Sequence, residues 1–332
     1  MREALVTGAA GFIGSHVVCE LLRLPEMHVV AMDDLSGGFR ENLPSEVDFV
    51  EGSVTDPALV SSLFEQYRFD YVYHLAAYAA EGLSHFIRRY NYETNLVGSV
   101  NLINAAVNHD VKCFVFTSSI AVYGAKQVPM REDMVPQPED PYGVAKYAVE
   151  QDLRAAYELF GLNYVVFRPH NVYGECQNIG DKYRNVVGIF MNQIVQNRPM
   201  TVFGDGEQQR AFSYVRDITR PIVQAAWNPA AYQKVFNIGG DETHSVNELA
   251  RAVAGAMGAP GHPIEHLPPR NEVRLAFSDH NAATAVFGPP TVTPLATGLR
   301  RMANWVRRVG ARDTPKFAGI EIDKNMPPSW KS

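Results

Sequence analysis

A tyrosine and a lysine, Tyr142 and Lys146, are four residues apart at the start of a helical pattern. Residues at this spacing lie on one helix face, one turn apart. The ammonium can then lower the pKa of the phenol, which is about 10 in solution. A phenolate present near neutral pH is a general base for a sugar or alcohol hydroxyl. Because both residue types are common on helix surfaces, the pair indicates catalysis only together with other features of the chain.

Three glycines recur at every third position near the N-terminus, at Gly8, Gly11 and Gly14. They separate residues 4–7, an apolar stretch that predicts a buried strand, from a helical pattern over residues 15–24. Glycines at such a junction allow a tight turn, a close approach of backbone to phosphates, and packing of helix on sheet. The N-terminus of the helix then faces an anion. An ordinary glycine turn is the alternative, and the next strand decides between the two.

The second predicted strand, over residues 28–32, ends at the acidic pair Asp33 and Asp34. An acidic residue about 20 residues beyond a glycine loop holds the ribose hydroxyls of a bound dinucleotide. A carboxylate at this place repels a 2′-phosphate. The sequence therefore favours NAD over NADP as the cofactor.

Short apolar stretches alternate with helical patterns along the first half of the chain. Strands are predicted at residues 4–7, 28–32, 48–50, 71–75 and 112–116, and helices at residues 15–24, 57–67 and 92–107. This alternation predicts an α/β fold with a doubly wound parallel sheet of the Rossmann type. Ligands in such a sheet bind beyond the carboxyl ends of its strands. Asp140 as N-cap and Pro141 at the first helical position then start the helix that carries Tyr142 and Lys146.

Composition argues against several other classes of function. The chain has 332 residues, a formal net charge of −6 and three cysteines. Mild acidity gives no reason to expect nucleic acid or an anionic membrane as a partner. The sparse cysteines argue against disulfides and a metal site, and they fit a reducing cytoplasm. No apolar run approaches the roughly 20 residues of a membrane span, and the N-terminal run is too short for a signal peptide.

Sequence blocks beyond the glycine loop and the Tyr–Lys pair also match a known family. The blocks lie at residues 7–14, 118–124, 142–146, 168–174, 202–206 and 210–215, so they extend over nearly the whole chain. The chain thereby resembles the extended short-chain dehydrogenase/reductases. Within them it is most similar to the NAD-dependent epimerase/dehydratase branch, and especially to UDP-glucose (UDP-galactose) 4-epimerases. This resemblance implies an isomerase that uses bound NAD.

The resemblance also implies roles for individual residues. Ser119 would hydrogen-bond the sugar hydroxyl, Tyr142 would be the base, and Lys146 would hold the nicotinamide ribose. The residues expected to bind the cofactor are Gly8, Gly11, Phe12, Ile13, Gly14, Asp33, Asp34, Leu35, Ser36, Gly38, Ser53, Val54, Leu75, Ala76, Ala77, Asn95, Thr117, Ser118, Tyr142, Lys146, Pro169 and His170. Those expected to bind a nucleotide-diphosphate sugar are Glu81, Ser119, Tyr142, Asn171, Asn185, Val186, Thr201, Val202, Phe203, Arg210, Arg270, Glu272 and Ala276.

Three positions depart from the pattern of the family. Ser53 stands where an aspartate usually contacts the adenine, and Ala79 where several epimerases have a pyrophosphate-binding lysine. Ala211 replaces an aspartate that often follows the arginine at this place. These departures concern individual contacts and leave the predicted fold unchanged.

Two domains are expected. Residues 1–174 would form the NAD-binding Rossmann domain, to which a strand near residues 234–240 returns. Residues 175–332 would form mainly the smaller α/β substrate domain, which is therefore discontinuous in sequence. The resemblance implies that the helices near residues 92–107 and 142–160 pair across a two-fold axis, so we expect a homodimer.

The expected reaction is transient oxidation of a nucleotide sugar at C4, followed by reduction from the other face. UDP-glucose and UDP-galactose are the first candidates. Ala276 leaves room for an N-acetyl group, so UDP-N-acetylglucosamine is an alternative, and UDP-glucuronate is another. Dehydratases and reductases of the same fold are also alternatives, although Ile120 and Ala121 stand where dehydratases have an acid. A non-catalytic NAD-binding sensor is the alternative from a different class.

Overall fold

The computed structural model describes residues 1–125, 128–269, 274–313 and 317–331. Its strands are β1 (Arg2–Thr7), β2 (Met27–Asp33), β3 (Asp48–Glu51), β4 (Tyr71–His74), β5 (Cys113–Thr117), β6 (Tyr164–Pro169), β7 (Val172–Tyr173), β8 (Met200–Phe203), β9 (Gln209–Ala211), β10 (Ser213–Tyr214), β11 (Lys234–Ile238), β12 (Thr243–Ser245), β13 (Ile264–Leu267) and β14 (Leu275–Ala276). Its helices are α1 (Phe12–Leu21), α2 (Pro57–Gln66), α3 (Glu81–Ser84), α4 (Arg88–Tyr92), α5 (Gly98–Asn108), α6 (Pro141–Phe160), α7 (Val186–Val195), α8 (Val215–Ala225), α9 (Val246–Ala256), α10 (Asn281–Phe287), α11 (Leu295–Val309) and α12 (Pro328–Lys331). A π-helical turn, Glu93–Val97, joins α4 to α5.

The centre of the fold, within these described ranges, is a sheet of seven parallel strands in the order β3-β2-β1-β4-β5-β6-β11. The chain begins in the middle with β1, moves outwards to β3, and then returns to build the other half from β4. A crevice opens at the carboxyl ends where the two directions diverge. The predicted doubly wound parallel sheet is therefore confirmed, and β11 joins it beside β6.

Both faces of the sheet are covered, as its apolar strands require. Helices α1 and α8 pack on one face, where Val17, Val18 and Ile222 are fully buried. Helices α2, α5 and α6 cover the other face with residues such as Leu63 and Leu102. Every residue of β4, β5 and β6 is buried, so these strands hold their carboxyl ends at fixed positions.

Most of the elements that follow β6 form a smaller lobe, whereas α3 and α4 pack on α6, and α10 packs on β11. The lobe contains three small sheets: β7 with β10, β8 with β13, and β9 between β12 and β14. Helices α7, α9 and α11 pack on one another and share one apolar core with α1 and α8. None of the described helices is both long enough and apolar enough to cross a bilayer.

Candidate active site

Helix α6 presents the Tyr–Lys pair to the crevice. Its first turn is capped by Asp140, whose Oδ1 accepts the backbone N–H of Gly143 at 2.9 Å, and Pro141 occupies the first helical position. Tyr142 and Lys146 follow on one face, and only 5% and 2% of their surfaces are exposed. Both side chains are therefore almost completely screened from bulk solvent.

The ammonium of Lys146 is directed at the end of β5 rather than at the phenol. Its Nζ donates to the carbonyl oxygen of Thr117 at 2.8 Å and lies 4.6 Å from the centroid of the Phe116 ring. Burial lowers the pKa of Lys146 to about 7, and the Glu150 carboxylate opposes this shift. The charge of Lys146 therefore changes close to neutral pH.

Tyr142 has a raised pKa. Burial is the largest cause, and the negative charge of Glu81 adds to it. A hydrogen bond with the Ser119 side chain opposes the shift but does not overcome it. The expected lowering of this pKa is not seen, because burial outweighs the charge of Lys146, whose ammonium bonds to Thr117 and lies 5.8 Å from the Tyr142 ring centroid.

Two adjacent serines after β5 have different partners. Ser119 Oγ accepts the N–H of Ala121 at 3.1 Å and caps a short 3-10 helix, Ile120–Tyr123. Ser118 Oγ donates to the Glu150 carboxylate at 2.5 Å, below the site. The Tyr142 phenol hydrogen-bonds with the Ser119 side chain, and the expected contact of Ser119 with the sugar hydroxyl stays a prediction.

The glycine loop has no room for side chains. Gly8 has φ +67°, and a Cβ there would lie 2.6 Å from the backbone nitrogen of Ala76. A Cβ on Gly14 would collide with the carbonyl oxygen of Gly8. Helix α1 begins at Phe12, and its N-cap, Gly11, makes no side-chain hydrogen bond, so the first N–H groups of the helix face the crevice. Such a helix N-terminus binds anions.

Asp33 ties the end of β2 to the glycine loop. Its Oδ2 accepts the N–H of Ala10 at 3.0 Å, and its Oδ1 accepts the N–H of Leu35 at 2.8 Å. Burial raises the pKa of Asp33, and these two backbone donors oppose the shift. A carboxylate has about four acceptor positions, so lone pairs remain for ribose hydroxyls.

These elements surround one cleft with a volume of about 340 Å³. The predicted site residues that line it are Gly8, Gly11, Phe12, Ile13, Gly14, Asp33, Asp34, Ser36, Gly38, Val54, Leu75, Ala76, Ala77, Glu81, Thr117, Ser118, Ser119, Tyr142, Lys146, Pro169, Asn171, Asn185 and Val186. The predicted residues that lie elsewhere are Leu35, Ser53, Asn95, His170, Thr201, Val202, Phe203, Arg210 and Ala276. The predicted residues Arg270 and Glu272 lie outside the described residues.

Several of the residues placed elsewhere support the cleft from behind. Asn95, in the π-helical turn, accepts the N–H of Tyr78 at 2.8 Å and donates to its carbonyl at 3.2 Å. His170 is 2% exposed, its Nδ1 pairs with the carbonyl of Ala211 at 3.2 Å, and its Nε2 meets His280 at 3.0 Å. Burial and His280 lower the pKa of His170 to about 4. These residues hold backbone in place rather than facing the cleft.

The residues expected near the sugar and the base have other neighbours. Ala276 is 6% exposed and packs in a small apolar cluster with Ile120 and Met130. Thr201 pairs with the side chain of Gln193, with its N–H at 3.1 Å from the amide oxygen. Their roles in substrate binding stay predictions.

Arg184 and Gln177 line the cleft although sequence reasoning did not select them. Arg184 pairs with Asp181 at 2.6 Å, and its guanidinium lies 4.4 Å from the centroid of the Tyr78 ring. Both residues come from the polar loop after residue 174. Gln177 is 5% exposed, and only the three-dimensional structure shows that this polar side chain is buried.

Comparison with known proteins identifies the family. Residues 4–239 match the family model described as the NAD dependent epimerase/dehydratase family. The chain belongs to the NAD-dependent epimerase/dehydratase family. It is 36% identical over 313 residues to the UDP-glucose 4-epimerase of Mycolicibacterium smegmatis, covering 92% of this chain and 98% of the relative.

Solved structures agree with this family assignment. The UDP-glucose 4-epimerase of Thermotoga maritima, solved with UDP-glucose, has 35% identity and a TM-score of 0.86, and the match covers 93% of this chain and 99% of that one. A UDP-glucuronic acid 4-epimerase from Bacillus cereus, solved with UDP-glucuronic acid and NAD, has 28% identity and a TM-score of 0.84, and covers 93% and 100%. The predictions of an isomerase of this epimerase family with NAD as cofactor are confirmed.

The cleft of this epimerase-family chain fits NAD. Two buried polar atoms that line it, Thr117 Oγ1 and Gln177 Oε1, have no hydrogen-bond partner among the described residues. The open N–H groups of α1 and the glycine loop suit a pyrophosphate. Lone pairs of Asp33 suit the adenosine ribose. The cleft therefore contains polar groups that lack a hydrogen-bond partner within the described part of the chain, and a bound dinucleotide would supply that partner.

Proposed function

We propose that this protein interconverts UDP-glucose and UDP-galactose by inverting the configuration at C4. The observation that carries the proposal is the hydrogen-bonded pair of Tyr142 and Ser119 in the cleft that the glycine loop also lines. Family membership supports the coarser statement, that the chain is a nucleotide-sugar 4-epimerase. The choice of the sugar is our inference from the charges around the pair.

The chain's residues would handle the proton of the C4 hydroxyl. NAD, held by the glycine loop and Asp33, would supply the acceptor for the C4 hydride, and its positive charge would favour the phenolate. Tyr142, as the phenolate, accepts the hydroxyl proton and later gives it back to the C4 oxygen, so it ends each turnover as the phenolate again. Ser119 holds the sugar oxygen by a hydrogen bond, and Lys146 fixes the end of β5 through Thr117 while its charge also favours the phenolate.

The charge of the cleft favours a neutral sugar over a uronate. Glu81 lines the cleft, and after burial its negative charge is the largest cause of the raised pKa of Tyr142, while the charge of Arg184 acts in the opposite direction. A uronate carboxylate bound near Tyr142 would be repelled by the same charge. Of the cations that could compensate, Arg89 is exposed and pairs with Glu93 at 3.2 Å, and Arg184 pairs with Asp181.

Dehydration is less well supported. Ile120, which follows Ser119, packs with Ala276 and Met130 in an apolar cluster. A proton donor at this place would be required for elimination of water across C5 and C6. Glu81 is the acid that lines the cleft near Tyr142, and it comes from a different segment of the chain.

The experiment is to incubate the purified protein, without added NAD, with UDP-glucose, UDP-N-acetylglucosamine and UDP-glucuronate, and to follow the C4 isomers by NMR. We expect the highest kcat/KM for UDP-glucose. A higher kcat/KM for UDP-glucuronate, or a 4-keto-6-deoxy product, would overturn the proposal. No turnover of any sugar with NAD bound would favour the sensor alternative.

The role of Glu81 can be tested separately with Glu81→Gln. Its ratio of kcat/KM for UDP-glucuronate to that for UDP-glucose should rise by about 10-fold, because like charges in such a site repel by about 1–4 kcal/mol. Glu93→Gln is the matched control, since Glu93 is an exposed carboxylate that pairs with Arg89. An unchanged ratio in Glu81→Gln would show that this carboxylate does not select the sugar.

A further inference from the structure

The C-terminal segment, residues 317–331, packs against the part of the chain that carries Glu81. An apolar cluster joins Met326 and Trp330 of this segment to Leu83 and Ile87, and each of the four is at most 6% exposed. The partly buried members of the cluster come from both sides as well. The segment is therefore packed into the fold and contacts the loop beside the cleft.

Phe317 contacts two tyrosines that line the cleft. Its ring centroid lies 5.3 Å from that of Tyr78 and 5.1 Å from that of Tyr90, and the second pair is edge-to-face. Aromatic pairs at these separations are attractive by about 0.5–1.5 kcal/mol beyond the area that they bury. The first residue of the segment thus supports one wall of the cleft, formed by residues 78–92.

Trp330 contacts both walls. Its ring lies 6.1 Å from Phe86, which belongs to the wall of residues 78–92, and 5.3 Å from Tyr183 in the polar loop of the smaller lobe. The neighbour of Tyr183 is Arg184, which lines the cleft and lies over Tyr78. One indole ring therefore joins the two sides on which the cleft is built.

Glu321 caps helix α4, which has no capping side chain of its own. Its carboxylate oxygens accept the N–H groups of Arg89 at 2.8 Å and Tyr90 at 3.0 Å, and its own N–H donates to the Phe86 carbonyl at 2.8 Å. An acidic cap at a helix N-terminus is stabilising. Further along the same helix, Asn91 donates to the Pro141 carbonyl at 2.9 Å, next to Tyr142.

We propose that residues 317–331 form a clasp that holds the two walls of the cleft together and slows the release of bound NAD. Phe317, Glu321 and Trp330 are its positioning residues, since they touch the walls and not the reacting atoms. Separation of the walls would break the aromatic contacts and the α4 cap, so the clasp raises the barrier to opening. This inference rests on NAD binding and not on which sugar is converted.

The test measures NAD release from the loaded protein in the absence of any sugar. The variants are a chain that ends before residue 317, Trp330→Ala and Glu321→Gln. Ile322→Ala is the matched control, because Ile322 belongs to the same segment but is 42% exposed. Loss of NAD after dilution is followed by rapid filtration, and thermal unfolding of each variant shows whether it is folded.

We expect NAD release to be roughly 10-fold faster in Trp330→Ala, because this factor corresponds to the loss of one buried aromatic contact. Release should be faster still in the shortened chain. Glu321→Gln should show a smaller increase, and Ile322→Ala should match the parent protein. The kcat at saturating NAD should stay within about 3-fold, because the clasp touches no reacting atom. If the shortened chain does not fold, the two point variants decide. Unchanged NAD release in the folded variants, or a fall in kcat without faster release, would overturn the proposal.

Discussion

Glu150 is expected to control both the stability of the core beneath the active site and the charge of Lys146. The residue lies in α6, one turn after Lys146, and is 4% exposed. Its carboxylate accepts hydrogen bonds from Ser118 and from Arg168, whose Nε lies at 2.9 Å and whose Nη2 also donates to it. Glu150→Gln keeps the volume of the side chain and removes the charge.

The main loss of stability comes from Arg168. Arg168 is 3% exposed, and removal of one partner of a buried ion pair costs about 3–5 kcal/mol because the other charge stays buried. We therefore expect the free energy of unfolding to fall by about 3–5 kcal/mol at pH 7. The double variant Glu150→Gln/Arg168→Met removes both charges and should recover most of that loss.

The second effect of Glu150→Gln is on the pKa of Lys146. Burial lowers the pKa of Lys146 to about 7, and Glu150 opposes that shift, so Glu150→Gln moves the pKa below 7. Lysine has a pKa of about 10.4 when unfolded, so between the folded and unfolded values the unfolded chain binds more protons. Lys146 therefore makes the parent protein more stable as pH rises from about 7 to about 10. In the variant, this rise should begin at lower pH, and it should persist in the double variant.

The measurements are urea unfolding followed by circular dichroism from pH 5.5 to 8, and the pH profile of kcat/KM. In both variants the decline of kcat/KM on the alkaline side of the profile should begin at a lower pH than in the parent protein, because both have lost the carboxylate that keeps Lys146 protonated. A stability loss below about 1 kcal/mol in Glu150→Gln would refute the reasoning about Arg168. An unchanged alkaline limb would refute the reasoning about Lys146.

Three further predictions concern the cofactor, the base and assembly. Gly14→Ala should abolish retention of NAD, because the new Cβ would collide with the glycine loop. The NAD released when the purified protein is denatured measures this retention. The control is Gly255→Ala, at a helical site where a Cβ meets nothing within 4 Å; it should keep NAD and raise the free energy of unfolding by about 0.5–1 kcal/mol. Tyr142→Phe should lower kcat by about 10²–10⁴-fold while its NAD content stays normal, and near-normal turnover would show that another group is the base. Leu159 and Phe160 on α6 are 75% and 63% exposed, so we expect a homodimer by light scattering, and aspartate at both positions should give monomers.

The sequence by itself determined the features that depend on local geometry. At this turn from strand to helix, Gly8 and Gly14 lie against neighbouring backbone, where a Cβ would not fit. A residue pair at i and i+4 shares a helix face in any fold, so Tyr142 and Lys146 could be placed together before the structure was known. The alternation of strands and helices likewise specified the parallel sheet, because apolar strands must be covered on both faces.

Only the tertiary structure decided how those residues are charged and what supports them. The pKa of Tyr142 is raised because the phenol is buried beside Glu81, and Lys146 turns to Thr117, which is far from it in sequence. The spacing of residues in the sequence gives neither the burial of a side chain nor the distance between segments that are far apart in the chain. The same is true of Arg184 and of residues 317–331, whose weak sequence pattern gave no sign of their contacts with the cleft. Such contacts form between segments that are distant in sequence, so only the tertiary structure identifies them.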